Sequence, residues 1–428
     1  MNKKVISKSF FPYSLIILYV LLLNSCSEQI ENNSIVQINP NQFEGTDIQR
    51  IQSAIDAAKG TTNKIVIPSR NANGTNVWLL ESAILLPGNM TVILDNCTLQ
   101  LSDKCRDNMF RSNNVGIGFA DPVWKKNINI IGIGDVYLKG ANNPRATGDS
   151  HRTLALDPAV ERKAGNWRVS YGSDAGKEGI KQKGDWRNIM ILMAYVDGFK
   201  LMNVNIENAH AWAVSFERTI NAKISDISFN CPENQIVNGK EVFVANRDGI
   251  DLRHGCKIFR IYNVSGFTGD DFLALSTLGL YSENPEGGSI NSTMVSSRTW
   301  SGTEDDTEQI FITNIVCKSY TRAVAIRAND VASINNVYIN GVMFNGGYNA
   351  MLVGGKGYGH DSQPGKINNI HAMNIIGDGE SLIRIEEAIS DCSFMNGIYK
   401  GDGDDIIMYK NIDKSETSNI VSNNLMKN

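Results

Sequence analysis

Hydrophobic residues along most of this chain alternate with polar ones over short runs closed by turn residues, as in Lys64-Ile65-Val66-Ile67-Pro68 and Met90-Thr91-Val92-Ile93-Leu94. Period-2 alternation predicts short strands. One stretch departs from it. Thr46-Asp47-Ile48-Gln49 has the form of a capping box, and Ile48, Ile51 and Ile55 then fall on one face of a helix. The strongest signal is an imperfect repeat of the form apolar-x-apolar-x-Asn-apolar. Its six copies are Phe199 to Val204, Ala222 to Ile227, Phe259 to Val264, Ile310 to Ile315, Val337 to Val342 and Ile370 to Ile375. The fifth position is Asn203, Asp226, Asn263, Asn314, Gly341 and Asn374 in turn, all residue types that tolerate a left-handed backbone, so each copy bends the chain at one fixed place.

The gaps between these residues are 23, 37, 51, 27 and 33. A core length near 23 with variable additions suits one coil of a parallel β-helix, where insertions collect at the turns. A propeller needs four strands per repeat and hence a longer, steadier period, and a sandwich would not put an Asn-type residue at the same point of every repeat. The expected fold is all-β: one parallel β-helix whose N-terminal end is capped by the helix near Thr46. Length alone, 428 residues, would suggest two or three domains; the repeat replaces them with one solenoid over 42–428. Two stretches lie outside it, 141–185 and 278–308, the latter ending in Glu304-Asp305-Asp306. Both read as long loops.

Composition excludes several classes. With 42% hydrophobic residues and a net charge of −4, the chain is neither disordered nor strongly acidic, and a pI near 5.8 argues against a nucleic-acid partner. Lys3, Lys4 and Lys8 precede an apolar run from Phe10 to Leu23, too short to span a membrane but suited to a secretory signal. Its end, Leu23-Asn24-Ser25-Cys26, resembles the lipobox of bacterial lipoproteins. That resemblance implies a signal peptide over 1–25, lipidation of Cys26, a tether over 26–41 and a protein anchored by lipid in the cell envelope, its only membrane contact. Cys97, Cys105, Cys231, Cys256, Cys317 and Cys392 form no CxxC pair, so they are expected as small buried side chains, with Cys97 and Cys105 able to bridge locally.

Aligning the coils brings carboxylates together. The apolar pairs Val214/Phe216, Ile250/Leu252, Leu273/Leu275, Val324/Ile326 and Met351/Val353 share a register, and two positions before each stand Trp212, Asp248, Asp271, Arg322 and Asn349. Residues in one column lie about 4.8 Å apart. Asp248 and Asp271 become neighbours on successive coils, with Asp270 beside them. Carboxylates this close repel, so at least one is expected to hold a proton near neutral pH, which is what glycoside hydrolysis requires of an acid and a base.

At these residues the sequence resembles glycoside hydrolase family 28, the polygalacturonase-like enzymes of the pectate-lyase-like β-helix superfamily. The likeness runs through Asn246-Arg247-Asp248-Gly249 and Gly269-Asp270-Asp271, similar to the family's Asn-Thr-Asp-Gly and Gly-Asp-Asp motifs. It implies a single-stranded right-handed parallel β-helix, Asp270 as general acid, Asp248 and Asp271 activating water for an inverting attack, no cofactor, and an acidic polysaccharide or its oligosaccharides as substrate. The family's Gly-His-Gly falls at Thr321-Arg322-Ala323, and its Arg-Ile-Lys at Leu352-Val353-Gly354, without a basic residue. Arg253 and Arg327, in a neighbouring outward column with Glu217, are candidates for an acidic sugar; Asn246, Arg322, His210 and Trp212 complete the expected binding set. His254 reads as a turn residue and His360 as part of a loop. Two other readings stay open. A lyase on the same fold would hold Ca²⁺ on the aspartates and use Arg322 or Arg327 as base. A non-catalytic glycan-binding β-helix would do no chemistry.

Overall fold

The computed structural model describes residues 37–105, 107–115, 122–143, 181–183, 186–244, 246–277, 289–291, 302–328, 332–355 and 366–428. Cys26 with its signal, most of the tether and of the two long loops, and His360 lie outside them. Among the described residues, 22 strands join in one system whose pairings are all parallel, each coil placing a short strand and then a long bent one. This is a right-handed parallel β-helix, and Ile38–Asn428 make up one unit. The coils that matter for function are Val214–Cys231, Ile250–Leu252 with Lys257–Thr268, Leu273–Thr277 with Thr307–Ser319, and Arg322–Ala328 with Ile334–Gly346.

Each long strand bends where the repeat places its fifth residue. Backbone φ is +55° at Asn203, +58° at Asp226, +55° at Asn263, +57° at Asn314, +80° at Gly341 and +58° at Asn374, and the column continues to Asn396 and Asn424. Stacking these bends lets their side chains bond along the solenoid. Asn314 Nδ2 donates to Asn263 Oδ1 at 2.9 Å, and Asn263 Nδ2 to Asp226 Oδ1 at 3.1 Å. A second left-handed column, from Asn221 through Ile258, Gln309, Asn336, Asn369, Asp391 and Asn419, escapes the sequence reading. Ile258 and Gln309 conceal it, since neither type favours that conformation and a β-branched residue there is strained. They adopt it because both neighbouring coils impose it.

The register of the short strands is the one expected. Val214 pairs with Ile250, Ile250 with Leu273, Leu273 with Val324 and Val324 with Met351. All five are fully buried, as are Phe216, Leu252, Leu275, Ile326 and Val353 in the companion column. Each such side chain contributes roughly 1.5–3 kcal/mol of burial, and a slip of one residue would turn every one of them outward. Helix Asp47–Ala58 closes the N-terminal end, burying Ile48, Ile51, Ala54, Ile55 and Ala58 against the first coils. Gln49 Oε1 accepts the Thr46 N–H at 2.8 Å, the capping-box contact anticipated there. The six cysteines are buried as free thiols, with Cys97 and Cys105 unbridged. No helix among the described residues is long and apolar enough to cross a membrane.

The Asn column gives a direct test. Replacing Asn314 with Ala removes both the left-handed tolerance and the ladder bond and should cost about 2 kcal/mol, with Asn314→Gly costing less. Equilibrium denaturation of the two variants measures the difference.

Candidate active site

Three backbone bonds set the column that carries the acids. Ala213 N–H donates to the Asp248 carbonyl at 2.9 Å, Gly249 N–H to that of Asp271 at 3.0 Å, and Phe272 N–H to that of Arg322 at 2.9 Å. Trp212, Asp248, Asp271 and Arg322 therefore follow one another on four successive coils. Asp270 is drawn in by its own contacts: its carbonyl accepts from Thr268 Oγ1 at 2.7 Å and Ser319 Oγ at 2.8 Å, and its Oδ1 accepts the Asp271 N–H at 2.9 Å. One oxygen from each of Asp248, Asp270 and Asp271 lies within 4.8 Å of the others.

Asp271 is held on both sides. Arg322 Nη1 donates to its Oδ1 at 3.0 Å and Arg327 Nη2 to its Oδ2 at 2.6 Å, while Thr321 Oγ1 stands 2.8 Å from Oδ1. Arg327 can lie along this path because Gly355 has no side chain. A Cβ at Gly355 would sit 2.9 Å from both Cβ and Cγ of Arg327.

These surroundings separate the carboxyl groups electrostatically. Burial works against charge at Asp271, but Arg327 and Arg322 outweigh it and hold its pKa below the usual value. Burial pushes Asp270 up to about 6; Asp271 adds to the rise, and Arg327 and Arg322 oppose it. Asp248 is raised well above the carboxylate range by burial, with Asp251, Asp270 and Asp271 adding to the effect.

Asp251 is a fourth acid that the sequence reading did not assign. It faces outward between the inward residues Ile250 and Leu252 and lines the cleft, a cavity of about 140 Å³, with Asp248, Asp270 and Asp271. Burial raises its pKa well above normal against the pull of Arg253, and its Oδ2 has no hydrogen-bond partner. Strand alternation alone places it outward, and that was the available signal. Ser276, another lining residue, and Thr321 had none.

The other expected residues divide by position. Arg253, Arg327, Asn246 and Trp212 line the same cleft, and the Arg253 guanidinium lies 4.9 Å from the centre of a Trp212 ring. Arg322 reaches the site through Asp271. Glu217 is buried, with its Oε1 3.2 Å from Arg218 Nη1 and 3.5 Å from His254 Nε2. His210 is buried as well, and its Nε2 accepts the Ala141 N–H at 2.8 Å, which ties two turns together. His254 does sit in a turn.

A hard cation such as Ca²⁺ would meet oxygen ligands here, but the donor set does not fit one. Both Asp271 oxygens already accept from guanidinium groups, and those positive charges would repel the ion.

Known proteins share similarity with this chain in one segment and in fold. Residues 164–282, which contain Asp248, Asp251, Asp270 and Asp271, match the family Glycosyl hydrolases family 28. No curated protein matches the sequence. The fold is similar to that of the tailspike protein of E. coli bacteriophage HK620, solved as a double mutant in complex with a pentasaccharide, at a TM-score of 0.51 and 12% identity over 92% of this chain and 67% of that one. Also similar are an exopolygalacturonase from Thermotoga maritima (TM-score 0.49, 12% identity, 90% of this chain and 91% of that one) and the polygalacturonase from Erwinia carotovora (0.47, 15%, 91% and 96%). The four acids Asp248, Asp251, Asp270 and Asp271 thus lie inside the one segment of this parallel β-helix chain that is similar to glycosyl hydrolases family 28.

Proposed function

We propose that this protein hydrolyses glycosidic bonds in an acidic, pectin-type polysaccharide or its oligosaccharides, with Asp270 as general acid and Asp271 as general base. The observation that carries this reading is the opposite displacement of two adjacent carboxyls. Asp270, pushed up to about 6, keeps a proton for the leaving oxygen, while Asp271 stays ionised between Arg322 and Arg327 and can orient and deprotonate water. Asp248 stands beside both; its buried Oδ1 lacks a hydrogen-bond partner and is suited to hold that water or share its proton. Arg253, against Trp212 in the same cleft, supplies a cation for a uronate carboxylate where the family's Arg-Ile-Lys is missing.

The spacing of the acids does not choose the stereochemistry. One oxygen from each acid lies within 4.8 Å of the others, and such a contact does not measure the carboxyl separation that distinguishes retaining pairs, at roughly 5–5.5 Å, from inverting ones, at about 6.5–9.5 Å. Inversion rests on the family likeness, and NMR of the first anomer released tests it. A lyase reading is disfavoured because Arg322 and Arg327 are engaged as cations by Asp271 and the site does not suit Ca²⁺. We also place the protein at the cell envelope on a lipid at Cys26; Cys26→Ser should release it from the membrane fraction.

Asp270→Asn should lower kcat by roughly 10²–10⁴-fold, yielding saturated products that a chelator does not affect. Unsaturated, ultraviolet-absorbing products lost with the chelator would instead establish a lyase. The pH profile follows from the same groups. An acid with a pKa of about 6 is protonated below that pH and loses its proton above it, so kcat should fall as pH rises through about 6. Arg327→Met takes one positive charge from Asp271, which raises its pKa and moves the acidic limb to higher pH. Gly355→Ala, by displacing the Arg327 stem, should move that limb in the same direction.

A further inference from the structure

The acidic run Glu304-Asp305-Asp306 closes the insertion after Leu273–Thr277, and its middle residue does not face water. Asp305 is 1% exposed, at the end of the short helical turn Gly302–Asp305. Its Oδ1 accepts from Arg218 Nε at 2.8 Å, and Arg218 Nη1 lies 3.2 Å from Glu217 Oε1. The main chain adds to this link. Gly255 N–H donates to the Asp305 carbonyl at 2.8 Å, Arg218 N–H to that of His254 at 2.9 Å, and Thr307 Oγ1 to that of Arg253 at 2.9 Å. The turn that presents Arg253 to the cleft is thereby gripped by its neighbouring coil on one side and by the returning insertion on the other.

Two backbone features show how closely these parts fit. Arg218 has φ +43°, a conformation that long side chains rarely adopt, and Gly255 has φ +69°. A Cβ on Gly255 would lie 2.8 Å from Arg218 Cγ and 3.1 Å from the Glu304 carbonyl oxygen. Burying an acid and a base is no general route to stability, since a well-packed apolar pair does as well or better. What the pair adds is direction, because a guanidinium fork fixes where its acceptor stands.

We propose that Asp305 and Arg218 are positioning residues for Arg253, fixing the turn that holds its guanidinium over Trp212 and so setting affinity for the acidic group of the substrate. The proposal rests on the reading of Arg253 given under Proposed function. The helical turn Gly302–Asp305 is thereby part of substrate selection.

Steady-state kinetics on an oligogalacturonide test it with Asp305→Asn, Arg253→Gln and the double variant, melting temperatures being recorded alongside. Asp305→Asn should raise KM by about fivefold with kcat little changed, and the double variant should be no worse than Arg253→Gln alone, since coupled residues are not additive. Effects on KM that multiply, or a loss of kcat without a change in KM, overturn the proposal and leave the substrate reading intact. An unchanged KM in Arg253→Gln overturns both. Should Asp305→Asn not fold, Arg218→Lys keeps the charge while losing the fork, and the same non-additivity with Arg253→Gln is required of it.

Discussion

The cleft depends on the register in which one coil lies upon the next. Parallel strands spaced about 4.8 Å apart turn a column of residues distant in sequence into a row of touching side chains. Trp212, Asp248, Asp271 and Arg322 span 110 residues of chain and stand on four adjacent coils because Val214, Ile250, Leu273 and Val324 share one buried column. Left-handed bends hold the coils in that register, and insertions of any length can leave between bends without disturbing it. The fold keeps the core constant while the turns vary.

That variation altered the chemistry around the acids. Where the family motif has a histidine this chain has Arg322, and the strand expected to carry Arg-Ile-Lys reads Leu352-Val353-Gly354. The cleft is not short of cations, however. Arg322 and Arg327 converge on Asp271, and Gly355 leaves the room that Arg327 needs. Their positive charge is directed at one of the acids. There it separates Asp271, ionised, from Asp270, whose pKa is raised to about 6. Arg253, one column away, lies against Trp212 in the same cleft.

The buried polar groups behind the cleft belong to the same design. Glu217, Arg218, Asp305 and His254 are all buried, and burial lowers the His254 pKa to about 4, so the imidazole stays neutral at ordinary pH. A neutral ring beside the Glu217 carboxylate leaves Arg218 as that carboxylate's closest charge partner in the cluster, and Arg218 in turn reaches Asp305. In this way the helical turn Gly302–Asp305 is tied to the turn bearing Arg253.

Much of this was legible in the sequence, for a physical reason. Residues at the bends must tolerate a left-handed backbone, and inward residues must be apolar, so the repeat and the register of the short strands could be read from residue types; that register then placed Asp248, Asp270 and Asp271 together. Alternation also contained Asp251, although its importance depends on burial, which a strand pattern does not give. The second column of bends was hidden by Ile258 and Gln309, where neighbouring coils override local preference. Only the tertiary structure decided that Arg322 and Arg327 both turn to Asp271, that Glu217 and His210 are buried, and that Asp305 reaches Arg218. Each of these depends on the direction a long side chain takes from a turn, and that is set by the space the adjacent coils leave.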